Sequence, residues 1–299
     1  MIKTAVIGAS GYIGAHLFRA YRETFPDCIG TGFSRARQDL LPFDLRHPAL
    51  QVLNLEETGH EAVIIASAKP NIAWCEAHPQ EAYALNVTGT LKLVEQLSRT
   101  SLKTIFLSSD YVFNGERGNY SDTAETSPTT EYGRQKAEVE KEIPHLTNNY
   151  TILRLSKIYG TDWRDATLLD LLAADLLQAK KITVASDQFF SPTHVNDVVS
   201  MTLFAQEKNI KGLANLCYTQ AYSRYQIAKK IAEGLQLSSS LLDVQSLHSI
   251  PAMKDRPLNT SLVCSAVFQP LYTSLTSIDE AVNQVVSNWS SRQCSQIYA

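Results

Sequence analysis

The chain opens on an apolar run, Ile2 to Ile7, then a stretch of spaced glycines, then residues apolar at helical intervals (Ile13, Leu17, Ala20, Tyr21) over Tyr12 to Glu23. A continuous apolar run bounded by a turn predicts a buried parallel strand, and the 3.6-residue period predicts an amphipathic helix. The alternation continues. Asp27 to Phe33, Ala62 to Ala66, Thr104 to Leu107 and Thr151 to Leu155 predict further strands. Pro48 to Thr58, Pro79 to Arg99 and Glu131 to Glu142 predict helices, and the polar stretch from Asn114 to Thr130 predicts a loop. Strands alternating with helices give parallel βα units. The expected fold class is therefore α/β, a doubly wound parallel Rossmann sheet with a smaller C-terminal substrate lobe.

After Tyr159-Gly160 the pattern loosens. Asp165 to Ala179, Thr193 to Gln206, Ser223 to Leu235 and Ile278 to Trp289 predict helices, and Ile182 to Val184 a short strand. Ser238 to Leu275 is polar and punctuated by proline. We expect residues 1–160 to form the nucleotide-binding domain, with a later segment, about 185–215, returning to it. Residues 161–299 mainly form the discontinuous substrate lobe.

The glycines carry the first candidate chemistry. Gly8, Gly11 and Gly14 sit three residues apart between a strand and a helix. That unit cradles a dinucleotide pyrophosphate. Gly8 permits the tight turn, Gly11 lets the backbone approach the phosphates, and Gly14 lets the helix pack close to the strand. The helix N-terminus at Ser10, Tyr12 and Ile13 offers N–H groups and a positive dipole end. The bland alternative is a tight strand-to-helix turn with no ligand. Where an NAD-preferring site often places a carboxylate at the end of the second strand, this chain has Ser34-Arg35-Ala36-Arg37. Two guanidiniums attract a 2′-phosphate, so the expected cofactor is NADP(H) by preference, with NAD(H) left open, and with Ser34, Arg35 and Arg37 as ligands. Their alternative is two solvated loop arginines. Ser67 and Ala68 are small residues at a strand end where a cofactor would lie close. Asn86, inside the long helix, is assigned to the cofactor side, against the alternative of an ordinary surface or capping residue.

Tyr132 and Lys136 are four residues apart, so both project from one helix face. An ammonium beside a phenol is expected to lower the tyrosine pKa from about 10, letting it exchange a proton with a carbonyl or alcohol oxygen near neutral pH. The lysine would also hold the nicotinamide ribose. Tyr225 and Lys229 share the spacing but lie outside the nucleotide-binding half, and read as an ordinary helix face. Ser109 follows a strand end, where open α/β sheets place their sites, and its hydroxyl would donate to the substrate oxygen. Its alternative is a turn or cap serine.

Composition narrows the field. A net charge of −3 over 299 residues argues against a nucleic-acid or membrane-surface partner. The five cysteines are odd in number and lack C-x-x-C spacing, which reads as reduced thiols and no zinc site. The first residues enter a strand directly, so the expected location is the cytoplasm. No His/Cys/Asp grouping suggests a catalytic metal.

The glycine spacing, the Ser109 position and Tyr132-x-x-x-Lys136 resemble an extended short-chain dehydrogenase/reductase. Five longer stretches are similar to the dTDP-4-dehydrorhamnose reductase branch. They are Ser108 to Gly115, Glu131 to Lys136, Leu153 to Gly160, Asp187 to Thr193 and Arg256 to Asn259. The resemblance spans nearly the whole chain. It implies an NAD(P)-binding domain, a substrate lobe and hydride transfer to C4 of a nucleotide-linked 4-keto-6-deoxysugar. It places Asp44 and Leu45 at the adenine and Ala66, Ser67 and Ala68 at the cofactor. On the substrate side the candidates are Asp110, Val112, Phe113 and Lys157, with Gln188, His194 and Arg256 as weaker ones. Gln188 has the alternative of capping a turn, His194 of a structural loop residue, and Arg256, which would reach a diphosphate, of a surface ion pair. The family commonly has tryptophan where Lys157 stands and glycine where Phe190 stands, so the sugar is left open. Gly30 to Arg37 and Pro192 to Val195 look instead like the NADP-binding regulatory β-subunit of methionine adenosyltransferase. Two alternatives therefore stand beside the reductase: a non-catalytic NADP-binding regulatory subunit, and a sugar-nucleotide epimerase or dehydratase. The expected association is a homodimer or a partner enzyme.

Overall fold

The computed structural model describes residues 1–33, 37–163 and 165–297. In chain order its first half runs β1 (Thr4–Ile7), α1 (Tyr12–Thr24), β2 (Thr31–Gly32), β3 (Leu41–Pro42), β4 (Ala62–Ile65), α2 (Ile72–Ala77), α3 (Pro79–Tyr83), α4 (Thr90–Leu97), β5 (Lys103–Ser109), α5 (Glu131–Leu146) and β6 (Tyr150–Leu155). It continues through β7 (Ile158–Tyr159), α6 (Leu168–Leu177), β8 (Ile182–Ala185), β9 (Phe189–Phe190), β10 (Thr193–His194), α7 (Val195–Glu207), β11 (Gly212–Leu216), β12 (Tyr222–Ser223), α8 (Arg224–Gly234), β13 (Leu242–Gln245) and α9 (Ile278–Ile297).

The chain divides into two compact units. The first holds Met1–Phe113, Asp122–Leu155 and Val199–Leu216, and the second holds Asn114–Ser121, Ser156–Val198 and Cys217–Ala299. In the first, five parallel strands lie in the order β1-β4-β5-β6 and then β11. β1, β4 and the apolar part of β5 are buried throughout, as strands covered by helices on both faces must be. One face packs Ile7, Ile65, Phe106 and Ile152 against Leu93 and Val94 of α4 and Val139 and Ile143 of α5. This is the doubly wound sheet that the alternation predicts. In the second unit, α6, α8 and α9 close around Leu169, Ala173, Ile227, Ile231, Ala281 and Val285, with Phe190 of β9 in the same cluster. Among the described residues no helix is long and apolar enough to cross a membrane.

Several elements differ from the sequence pattern. Pro48 to Thr58 forms only a 3-10 turn at Leu50–Leu53, ended by Asn54 in the left-handed region. The second strand is two residues long, with Gly30 alone bridging to Val6. Ile72–Ala77 is an extra helix, capped by the Asn71 side chain. The predicted long helix starts at Pro79 but is interrupted by a π-helical turn, Ala84–Gly89, before α4. A π turn adds a residue without shifting the apolar spacing enough to be seen in sequence, and such turns recur at functional sites. Thr193–His194 is a strand paired with β7 rather than the start of α7, and Leu242–Gln245, in the polar stretch, pairs with β8.

Candidate active site

The site residues of the first unit gather at the C-terminal ends of β1, β4 and β5. β1 runs out at Ile7 into Gly8, whose φ of +94° is open to glycine. Its N–H donates to Thr31 Oγ1 at 3.2 Å, and Gly11 N–H donates back to its carbonyl at 3.0 Å. A Cβ on Gly8 would lie 2.7 Å from Ser67 N, so the turn rests on the 66–68 loop leaving β4. A Cβ on Gly14 would lie 2.2 Å from the Gly8 oxygen, whereas one on Gly11 would lie 3.3 Å from it. α1 therefore starts against the strand only because position 14 lacks a side chain. Gly11 is its N-cap, gives no side-chain cap, and no acid stands in the first turn. The helix end thus presents backbone donors and a positive dipole end with no carboxylate beside them, which suits a pyrophosphate.

Around the adenosine side, Ser34 and Arg35 lie outside the described residues. Arg37 is already engaged: Nε and Nη2 donate to the Asp39 carboxylate at 3.0 and 2.8 Å, and Arg22 approaches the same carboxylate at 3.5 Å. Asp44 takes a bidentate bond from Arg46 (Nε at 2.9 Å, Nη2 at 2.7 Å), which holds its carboxyl below the usual range. The Arg46 guanidinium in turn stacks 5.0 Å from the exposed Phe33 ring. Leu45 is buried in the core. Ala66 is tied to β1 by its N–H to the Ile7 oxygen at 2.9 Å.

At the end of β5, Ser109 Oγ accepts from Tyr111 N–H at 3.2 Å and donates to Asp110 Oδ1 at 3.2 Å. It therefore does cap a turn, and it lies close enough to Tyr132 to bear on its phenol. α5 is started by Thr130, whose hydroxyl accepts Gly133 N–H at 3.1 Å. That start sets Tyr132 edge-on to Tyr111, ring centroids 6.4 Å apart. Lys136, one turn on, donates from Nζ to the Leu107 oxygen at 2.8 Å, 4.3 Å from the Phe106 ring.

The electrostatics depart from the expectation of a lowered tyrosine pKa. Burial, joined by the Asp110 carboxylate, pushes the Tyr132 phenol well above its ordinary value, with the neighbouring Ser109 hydroxyl working against them. The Lys136 nitrogen stands 6.0 Å from the phenol ring centroid, with its donor turned to the Leu107 backbone. Burial lowers Lys136 itself to about 7, and Glu140 one turn further along raises it in part.

Other expected residues take different parts. Asn86 lies in the π turn with its amide engaged, Oδ1 accepting Lys69 N–H at 2.8 Å and Nδ2 donating to Gln135 Oε1 at 2.7 Å. Val112 and Phe113 are fully buried, and the Phe113 ring lies 4.9 Å under the Arg154 guanidinium. Both side chains are engaged in packing. Asp110 is buried beside Ser109.

Lys157, Gln188, His194 and Arg256 belong to the second unit. There the exposed Lys157 offers its carbonyl to Thr193 N–H at 2.9 Å. His194 Nδ1 accepts Asn196 N–H at 3.2 Å and its ring sits 5.5 Å from Tyr159. Gln188 is buried and accepts from Arg224 Nε at 3.1 Å. Phe190, where the family has glycine, fills the core of this unit. Lys229 makes a 3.8 Å surface pair with Glu233, as an ordinary helix face does. Thr31, Arg46, Gln135 and Glu140 were not foreseen. For Gln135 and Glu140 a signal exists, since each lies four residues beyond a partner on α5, Glu131 and Lys136 respectively.

A family model described as RmlD substrate binding domain matches residues 2–291. The chain is 26% identical over 280 residues to Methionine adenosyltransferase 2 subunit beta of Xenopus tropicalis, covering 88% of this chain and 80% of that one. It is 26% identical over 296 residues to "Probable low-salt glycan biosynthesis reductase Agl14" of Haloferax volcanii, covering 96% and 99%. The crystal structure of dTDP-4-dehydrorhamnose reductase from Bacillus anthracis in complex with NADP superposes with a TM-score of 0.78 at 22% identity, over 95% of this chain and 98% of that one.

Proposed function

Because the chain belongs to the RmlD substrate binding domain family, we propose that it is an NADP(H)-dependent reductase of a nucleotide-linked 4-keto-6-deoxysugar, of the dTDP-4-dehydrorhamnose reductase kind. The observation that carries the reading is the contact set at the end of β5. There Ser109 lies close enough to Tyr132 to influence its phenol, and Lys136 is anchored one turn further along α5 on the Leu107 carbonyl. A binding module has no need to bury a phenol, a hydroxyl and an ammonium together at a strand end.

The glycine turn, the 66–68 loop and Lys136 would hold the dinucleotide, which when bound supplies hydride to the sugar carbonyl carbon. The chain's own residues supply the proton. Tyr132, kept protonated by burial and by Asp110, donates its phenolic proton to the carbonyl oxygen as charge develops there. Ser109 turns its hydroxyl to the same oxygen and holds it in line with the phenol. The Lys136 ammonium then lowers the cost of the phenolate left behind, which burial alone would make high. The tyrosine is thus fully protonated before the step, and the weaker acidity that comes with its raised pKa is what the Lys136 charge has to offset. Substrate contacts from Lys157, Gln188, His194 and Arg256 are part of this reading.

A second reading, an NADP-binding regulatory subunit, is favoured by the relatives named as subunits of methionine adenosyltransferase. NADPH oxidation with enzymatically generated dTDP-4-dehydrorhamnose separates the two. We expect turnover by the wild type. Tyr132→Phe should lower it by roughly 100-fold or more with NADPH affinity within about twofold, since the phenol oxygen is removed and the fold is left alone. Tight NADPH binding without turnover, together with a stable complex with a methionine adenosyltransferase catalytic subunit, would select the second reading.

A further inference from the structure

Gln135 is 1% exposed and precedes Lys136 directly. Its Oε1 accepts from Asn86 Nδ2 at 2.7 Å and its Nε2 donates to Glu131 Oε1 at 3.0 Å. Asn86 is itself 2% exposed and grips one residue of the loop beyond β4, accepting Lys69 N–H at 2.8 Å and donating to the Lys69 oxygen at 3.2 Å. Glu131, at the other end, precedes Tyr132 and also receives Arg134 at 3.1 and 3.0 Å. The chain of bonds thus begins on the residue following the 66–68 loop and ends on the first turn of α5. Its polarity is forced. Lys69 N–H requires the oxygen of Asn86, so the Asn86 nitrogen faces Gln135, so the Gln135 nitrogen faces a carboxylate that only accepts.

We propose that Gln135 is a positioning residue: its amide, clamped between Asn86 and Glu131, locks the start of α5 to the loop after β4 and so holds Tyr132 and Lys136 in register with the strand ends. The kinetic consequence rests on the reductase reading, whereas the mechanical one does not. A residue present only to fill space would be indifferent to the direction of its hydrogen bonds, and this one is not. Gln135→Glu keeps the shape but offers Glu131 no donor and sets two carboxylates together. The double variant Gln135→Glu/Glu131→Gln restores a donor on the other side, with unchanged net charge.

The experiment measures hydrogen–deuterium exchange in the segments 66–70 and 130–137, with NADPH oxidation kinetics on the same samples. Gln135→Glu is expected to speed exchange in both segments together and to lower kcat roughly tenfold, the scale of a small misplacement of reacting groups, with the KM for NADPH within about twofold. The double variant is expected to recover both. Glu131→Gln alone keeps an oxygen for Gln135 Nε2 but gives up the surface pair with Arg134, so its kcat should stay within about twofold of wild type. Faster exchange in 130–137 alone, or a double variant no better than Gln135→Glu, overturns the proposal. A wild type that oxidises no NADPH would defeat the reductase reading only, and the exchange pattern would still decide the clamp.

Discussion

Lys136 donates from Nζ to the carbonyl oxygen of Leu107 at 2.8 Å, two residues before Ser109 on the same strand. The bond fixes the cation against the strand while burial brings its pKa down to about 7, from an ordinary value near 10.4. The charge that the phenolate needs is therefore lost near neutrality. In the free enzyme, kcat/KM for carbonyl reduction should fall as pH rises through about 7. Lys136→Arg, which cannot lose its charge, should flatten that limb even if its overall rate is lower. The stability consequence has a definite sign. Between about pH 7 and pH 10 the unfolded chain holds a proton on Lys136 that the folded chain has released, so this residue's contribution grows with pH. Denaturant midpoints of the wild type, compared with Lys136→Gln across that window, should rise relative to the variant.

The three glycines are not equivalent. A Cβ on Gly14 would meet the Gly8 oxygen at 2.2 Å, and one on Gly11 would stand 3.3 Å from the same atom. Gly14→Ala must push α1 off the strand and should cost about 1–3 kcal/mol or more, as overpacking does. Gly11→Ala needs a shift of only tenths of an ångström and should cost under about 1 kcal/mol. If the backbone at Gly11 is where a pyrophosphate approaches, Gly11→Ala should still weaken NADPH severalfold despite its stability. Thermal unfolding paired with a fluorescence titration of NADPH checks both. Equal stability losses in the two variants would contradict the ranking.

The sheet was legible because its strands are short apolar runs separated by turns, a pattern that burial on both faces imposes. Tyr132 and Lys136 were legible because a helix puts i and i+4 on one face. What escaped the sequence depends on long-range contact. The π turn at Ala84–Gly89 leaves the apolar spacing of Leu85, Val87, Leu91 and Leu93 readable as a plain helix, yet it carries Asn86, whose amide reaches Lys69 and Gln135. The direction of the Tyr132 shift escaped for a similar reason. Spacing shows that a lysine is near, but not that its ammonium is turned to the Leu107 backbone, nor that Asp110 adds a like-signed charge beside the phenolate.

Glu140 and Arg154 form a buried pair, their side chains 5% and 4% exposed, joined at 3.0 and 2.7 Å. Arg154 also donates to the Asp122 oxygen at 3.3 Å and lies over Phe113. The pair is close to neutral as a unit, but Glu140 is four residues from Lys136 and raises its pKa. Removing either partner leaves a buried charge uncompensated, which costs about 3–5 kcal/mol. The two losses should be similar in stability and opposite in effect on the lysine. Glu140→Gln withdraws the negative charge and leaves Arg154 positive, so the pH limb of kcat/KM should move below that of the wild type. Arg154→Met leaves Glu140 negative beside Lys136, so the limb should move above it. Chemical denaturation measures the first effect and pH profiles measure the second. Limbs that move together, or not at all, would mean that the pair holds the fold without setting the charge of Lys136.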